Sequence, residues 1–252
     1  MPVKLNEAVK AANTRIAVYG AAGVGKTSLI ATLPGDTLIL SAEAGLRSLA
    51  TCTRTDLEAE EVVDFAHFVS LVKQLRDGSY LNSEGQPWVP TWIALDSFSE
   101  LVERLNTDNK SKFKGFEVYN KTVDLTNNVL HGLSSLPSNV LYLCKEQKKE
   151  ERKQVGNTEV VTTYCSAKFP YAEISASLPY QFDFFLRLVV VDEVINGSRQ
   201  SVRYLQTQKT AEADAKCRGG EHLEQYEAAD LKALLRKLSR AEKAALNQVK
   251  GE

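Results

Sequence analysis

Apolar and polar positions along this chain fall into blocks whose period changes in a regular way. "RIAVYGAAGVGKTSLIATL" opens with β-branched and aromatic residues from Arg15 to Tyr19, which predict a buried strand, then gives a glycine-rich turn and the start of a helix. "DTLILSAE", Asp36 to Glu43, predicts a second buried strand. In "LEAEEVVDFAHFVSLVKQLRDG", Val62, Phe65, Val69 and Val72 recur three or four apart, the spacing of one helix face, and Gly78 supplies the stop. "PTWIALDSFSELVERLN" predicts strand then helix, turning at Asp96-Ser97. "FEVYNKTVDLTNNVLHGLSSLP" has the pattern of a long amphipathic helix, and "NVLYLCKE" that of another central strand. Alternating strands and helices of this kind build a parallel sheet covered on both faces.

Beyond Glu146 the period shortens to two. "RKQVGNTEVVTTY" predicts a hairpin turning at Gly156-Asn157, and "FLRLVVVDEVINGSRQSVRYLQT" a second turning at Asn196-Gly197, so the later part of the sheet is expected to be antiparallel. "EQYEAADLKALLRKLSRAEKAALNQV" predicts a closing amphipathic helix.

Composition narrows the class. With 252 residues, 43% apolar and 25% charged, the chain resembles an ordinary α/β globular domain with one core. Its 31 Lys and Arg nearly balance 32 Asp and Glu, so a polyanion site has to be local rather than a property of net charge. The longest apolar runs fall short of the roughly 20 residues of a membrane span. "MPVKLNEAVKAANTR" lacks the apolar stretch of a signal peptide. Cys52, Cys144, Cys165 and Cys217 form no C-x-x-C pair and have no histidine at ligand spacing, which suits free thiols in a reducing cytoplasm.

Chemistry enters with "GAAGVGKT", Gly20 to Thr27, which matches G-x-x-x-x-G-K-[ST] between a strand and a helix. Backbone N–H groups of Gly20, Ala21, Ala22, Gly23, Val24 and Gly25 would converge on phosphate oxygens, with Thr27 and Ser28 opening the helix. Lys26 would reach the β and γ phosphates and Thr27 would give its hydroxyl to Mg²⁺. "WIALD" ends a buried strand on Asp96, the candidate carboxylate for Mg²⁺, although Asp96 or Ser97 could instead cap the next helix. No D-x-x-G follows Asp96 and no N-K-x-D occurs, so ATP is the expected nucleotide rather than GTP. The glycine spacing also excludes a dinucleotide fingerprint.

"LILSAEAGL" places Glu43 where the chain leaves the second strand, 17 residues after Lys26. With "WIALDS" and "NVLYLCKEQ", this resembles the RecA-type ATPases, and in particular the phage-encoded RecA-like ATPases of the single-strand annealing recombination group, from about Arg15 to Gly220. The resemblance implies one RecA-like domain: an N-terminal segment 1–13, a core 14–220 and a C-terminal helical segment 221–252. It implies that Glu43 is the general base toward the γ phosphate. Lys145 falls where relatives carry a Gln or His that senses that phosphate, and a lysine cannot accept a hydrogen bond. DNA-binding loops are implied after the third and fourth core strands. The first is "NKSKFKGFEVYNK", where Lys110, Lys112 and Lys114 interleave with Phe113 and Phe116, cations for the backbone and rings for stacking. The second is "KEQKKEERKQVGN", with Lys148, Lys149 and Arg152, although a solvated hairpin explains that cluster equally well.

"AKCRGG" resembles the K-x-R-x-G element with which RecA-like rings reach the γ phosphate of a neighbouring subunit. The resemblance therefore implies a ring or filament in which Lys216 and Arg218 act in trans; an ordinary solvated loop is the alternative. The expected function is an ATP- and Mg²⁺-dependent single-stranded-DNA-binding ATPase of phage recombination, in the cytoplasm of a bacterial host, with a single-strand-binding protein as a further partner. A nucleotide-gated assembly protein with negligible turnover, or a small-molecule kinase with a lid near Lys148 to Lys153, stay open as alternatives.

Overall fold

The computed structural model describes residues 13–43, 45–155 and 158–250. The strands are β1 (Arg15–Gly20), β2 (Thr37–Ser41), β3 (Leu57–Glu61), β4 (Trp92–Asp96), β5 (Asn139–Val155), β6 (Thr158–Ala167), β7 (Phe184–Ile195), β8 (Ser198–Gln206), β9 (Lys216–Cys217) and β10 (Tyr226–Ala228). They form one sheet in the order β10-β8-β7-β1-β5-β4-β2-β3, with β6 paired to β5 and β9 to β7. From β7 to β3 the pairing along this path is parallel, while β8 and β10 run antiparallel, as the change of period predicts.

Two apolar layers cover the sheet. On one face pack α2 (Phe65–Asp77), α3 (Phe98–Lys112), α4 (Phe116–Ser134) and α5 (Ala172–Gln181), around Tyr19, Leu40, Leu95 and Tyr142. On the other, α1 (Lys26–Leu29), with a 3₁₀ turn over Ile30–Thr32, and α6 (Leu231–Lys250) pack Leu29, Ile30, Leu231 and Leu234 against Ile16, Val18 and Leu205. Strands buried on both faces read as continuous apolar runs, which is why "IAVY" and "WIAL" stand out in the sequence. The helical run that α1 begins ends at Thr32, just ahead of Pro34 and of Gly35 at φ 89°.

Three elements depart from the sequence pattern. Leu57–Glu61 is edge strand β3 rather than the start of a helix, with Asp64 capping α2 by accepting from the His67 N–H at 2.7 Å. Helix α2 buries Phe68, Leu71 and Leu75, whereas Val69 stays 48% exposed, so its inner face is offset from the one the valine spacing predicts. The closing helix starts at Leu231, because Tyr226–Ala228 pairs with β8. The turn expected at Gly156-Asn157 lies outside the described residues, but β5 and β6 pair up to Val155↔Thr158. Asn196 and Gly197 turn the second hairpin at φ 52° and 78°. Of the expected N-terminal segment 1–13, only residue 13 is described. Among the described residues no helix is long and apolar enough to cross a membrane.

Candidate functional site

Four neighbouring parallel strands meet at one cleft of about 620 Å³: the glycine loop after β1, Glu43 after β2, Asp96 at the end of β4, and Lys145 with Glu146 where the parallel-paired part of β5 ends. Parallel sheets place ligands at this edge. The loop lines the cleft from Gly20 to Ser28, except for Ala21, whose exposed side chain points elsewhere, and Val24, which packs on the hydrophobic layer beneath. Gly23 (φ 78°) and Gly25 (φ 96°) take left-handed backbone, which bends the loop into a cradle.

At the floor of the cleft Thr27 donates its hydroxyl to Asp96 Oδ2 at 2.7 Å. A hydroxyl and a buried carboxylate side by side are the donor pair Mg²⁺ takes in such loops, so these residues fit the ion. Gly45 lies against both: a Cβ there would stand 3.3 Å from Thr27 Oγ1 and 3.4 Å from Asp96 Oδ2. Asp96 does not cap α3; Ser97 does, accepting from the Glu100 N–H at 3.2 Å. Burial raises the Asp96 carboxyl above the usual aspartate range, opposed by the Thr27 hydrogen bond. Burial likewise pulls the Lys26 ammonium down, against the charges of Glu43 and Asp96. That ammonium donates to the carbonyls of Gly20 and Ala21 at 2.9 and 3.0 Å.

Glu43 faces the cleft, where its carboxylate accepts from the Ser97 hydroxyl and lies 3.7 Å from Lys145 Nζ. Backbone bonds from Ala42 and Glu43 to the Asp96 carbonyl tie the Glu43 turn to the end of β4. Lys145 reaches the site as expected, but it is held by carboxylates: Glu100 at 2.6 Å and Glu103 at 3.0 Å. Burial would lower its pKa; the bonds to Glu100 and Glu103 push it well up instead. Lys168 adds a second bridge to Glu103 at 3.1 Å.

Sequence patterning missed Glu146 and Arg203. The Glu146 carboxylate, 4% exposed, takes Arg187 Nε at 2.7 Å and braces β5 to β7 beside the loop. Arg203 reaches in from β8. Neither carries a local motif; the long-range pairing of the sheet brings both to the cleft.

The first cationic stretch forms a surface where α3 meets α4. Lys110 and Lys112 end α3 exposed, Phe113 and Lys114 make the link, and Phe116 opens α4 at 72% exposure. The Phe116 ring stacks on Tyr119 at 5.1 Å, Tyr119 meets Tyr171 edge-on at 4.9 Å, and Lys121 lies 6.0 Å from the Phe113 ring. Of the second stretch, Lys148 and Lys149 are exposed, and Arg152 is paired with Glu150 at 3.9 Å and Glu159 at 3.7 Å.

Lys216 and Arg218 lie elsewhere. Strand β9 pairs with Phe184 and Phe185, the end of β7 opposite the glycine loop. Both cations do point to one side, and there they close the carboxyl end of α5: Lys216 Nζ donates to the Pro179 carbonyl at 2.8 Å, and Arg218 to the Tyr180 carbonyl at 3.2 Å and to Asp183 at 3.3 Å. The pair thus has a structural task within its own chain.

A parallel sheet with a glycine loop, a buried strand-end aspartate and a glutamate after the second strand defines a RecA-like P-loop core, built to bind nucleotide. The chain belongs to the AAA domain family, whose model matches residues 12–219, and it is a nucleotide-binding protein of the P-loop ATPase type. No curated protein matches it.

Proposed function

We propose that this chain is a Mg²⁺-dependent ATPase that binds single-stranded DNA and acts in recombination of the phage annealing type it resembles. Lys26 and the loop N–H groups would hold the β and γ phosphates, and Thr27 and Asp96 would hold Mg²⁺, which would supply charge neutralisation at the transferred phosphoryl. Glu43, which lines the cleft and is fixed by Ser97, would orient the attacking water as general base.

The observation that carries the DNA half is the exposed stack of Phe116 on Tyr119, flanked by Lys110, Lys112, Lys114 and Lys121. Stacking platforms set among cations suit a single strand, whose bases are free to stack. The surface is also joined to the nucleotide site: Tyr171 touches Tyr119 and bonds Asn106 of α3, and the same helix holds Lys145 through Glu100 and Glu103.

Replacing Lys112, Phe113 and Lys114 together with alanine is the test. Single-strand affinity should fall by about tenfold or more, with a shallower salt dependence, while nucleotide binding is kept. Unaltered affinity and salt slope would contradict a DNA site on this surface.

A further inference from the structure

Arg203 lies on the second hairpin, opposite Val190, and sends its guanidinium over the glycine loop, where Nε donates to the Val24 carbonyl at 2.8 Å. A Cβ at Gly25 would stand 2.8 Å from that nitrogen, so the loop's glycine is what admits the arginine. The guanidinium lines the same cleft as Lys26, Thr27 and Ser28. Among the described residues no carboxylate lies within salt-bridge distance of it, and its terminal nitrogens bond no protein group. Its hairpin neighbours differ: Arg187 is paired with Glu146 at 2.7 Å and Arg199 with Asp192 at 2.9 Å. An arginine on a phosphate cradle, anchored through Nε and with its terminal donors unpaired, suits a phosphate-bearing ligand.

Topology says which end of that ligand. In the order β8-β7-β1-β5-β4-β2, Asp96 and the strand preceding Glu43 lie on one side of the glycine loop, and Arg203 on the other. Side chains two apart on a strand share a face, so Arg203 lies on the side of Leu205, which packs with Leu29 and Ile30 of the helix that follows the loop. The metal pair and Glu43 mark the γ-phosphate end. We propose that Arg203 is a nucleotide-binding residue supplied in cis, which grips the α and β phosphates from the side away from the reacting bond. This rests on the P-loop reading above, and it requires ADP and ATP to depend on Arg203 alike.

Equilibrium binding of fluorescent Mg-ADP and Mg-AMP-PNP tests it on the full chain. Arg203→Ala should raise both dissociation constants about ten- to a hundredfold and, in turnover, raise KM by more than kcat falls. Arg203→Lys, with charge but no fork, should fall between. Arg199→Ala, an exposed arginine of the same hairpin outside the cleft, should bind as wild type. Should the alanine variant melt early, Arg203→Gln keeps a donor and loses the charge, and should show the same loss. Wild-type affinity of Arg203→Ala or Arg203→Gln for ADP overturns the inference, as does a loss confined to AMP-PNP, which would move the arginine to the γ phosphate. Lys26→Ala separates the two claims: if it too binds as wild type, the P-loop reading has failed rather than Arg203 alone.

Discussion

Asp96 is 3% exposed at the end of a fully buried strand, and its carboxyl is held above the ordinary aspartate range by burial. A carboxyl raised in the folded state favours folding in its protonated form, so its contribution to stability grows as pH falls through that raised value. It is a cost at any pH where the carboxyl is ionised. Asp96→Asn removes the charge and keeps an oxygen that can accept from Thr27. Nucleotide-free protein carrying it should melt about 2–4 °C higher by calorimetry at pH 7, the worth of ~1 kcal/mol in a chain of this size, yet lose Mg²⁺-dependent nucleotide binding. A lower melting temperature would show that Asp96 is not held against its own ionisation. Glu43→Gln separates binding from chemistry. It should retain ATP while turnover falls about a hundredfold or more, the usual worth of a positioned base, and undiminished turnover would place the base elsewhere.

At the scale of elements, the sequence was most legible where one local rule fixes the backbone. The strand, glycine loop and Lys26 lie together because φ above zero at Gly23 and Gly25 leaves few residue choices. Asp96-Ser97 ends a strand and caps a helix, and Asn196-Gly197 is a two-residue hairpin turn, each a local signal. Leu57–Glu61 was illegible because "LEAEE" has helical propensity, and only its place beside β2 makes it a strand. Helix α5 was hidden by Pro179 near its end, whose carbonyl is closed by a lysine far along the chain. Strand β5 defeats any single period: its first part is parallel between β1 and β4, and its later part is antiparallel to β6. The candidate site divides the same way. Its phosphate and metal residues were read from one motif and one strand end, whereas Glu146 and Arg203 depend on sheet order.

For the whole molecule, the ring or filament that the resemblance implies makes a demand the single chain states clearly. Lys216 and Arg218 lie at the strand ends opposite their own glycine loop and are bonded within their own chain, so an action on phosphate has to be on a neighbour's, with those bonds exchanged on assembly. Mixing Lys26→Ala chains with Arg218→Ala chains, each inactive alone, should restore part of the hydrolysis if the arginine serves in trans, a contribution worth about a thousandfold in phosphoryl transfer. Absence of rescue in demonstrably mixed oligomers would leave the pair as the closure of α5. The central claim, that nucleotide at the glycine loop governs a single-strand surface across α3 and α4, is tested most directly by one measurement. The affinity for a labelled single-stranded oligonucleotide is measured with and without Mg-ATP, for the wild type and for Lys26→Ala. The wild type should bind about tenfold more tightly with ATP, within the usual range of coupling between two sites, while Lys26→Ala binds DNA without responding to nucleotide. A wild type that binds no single strand in either state, or a Lys26→Ala chain that responds to ATP as the wild type does, would contradict it.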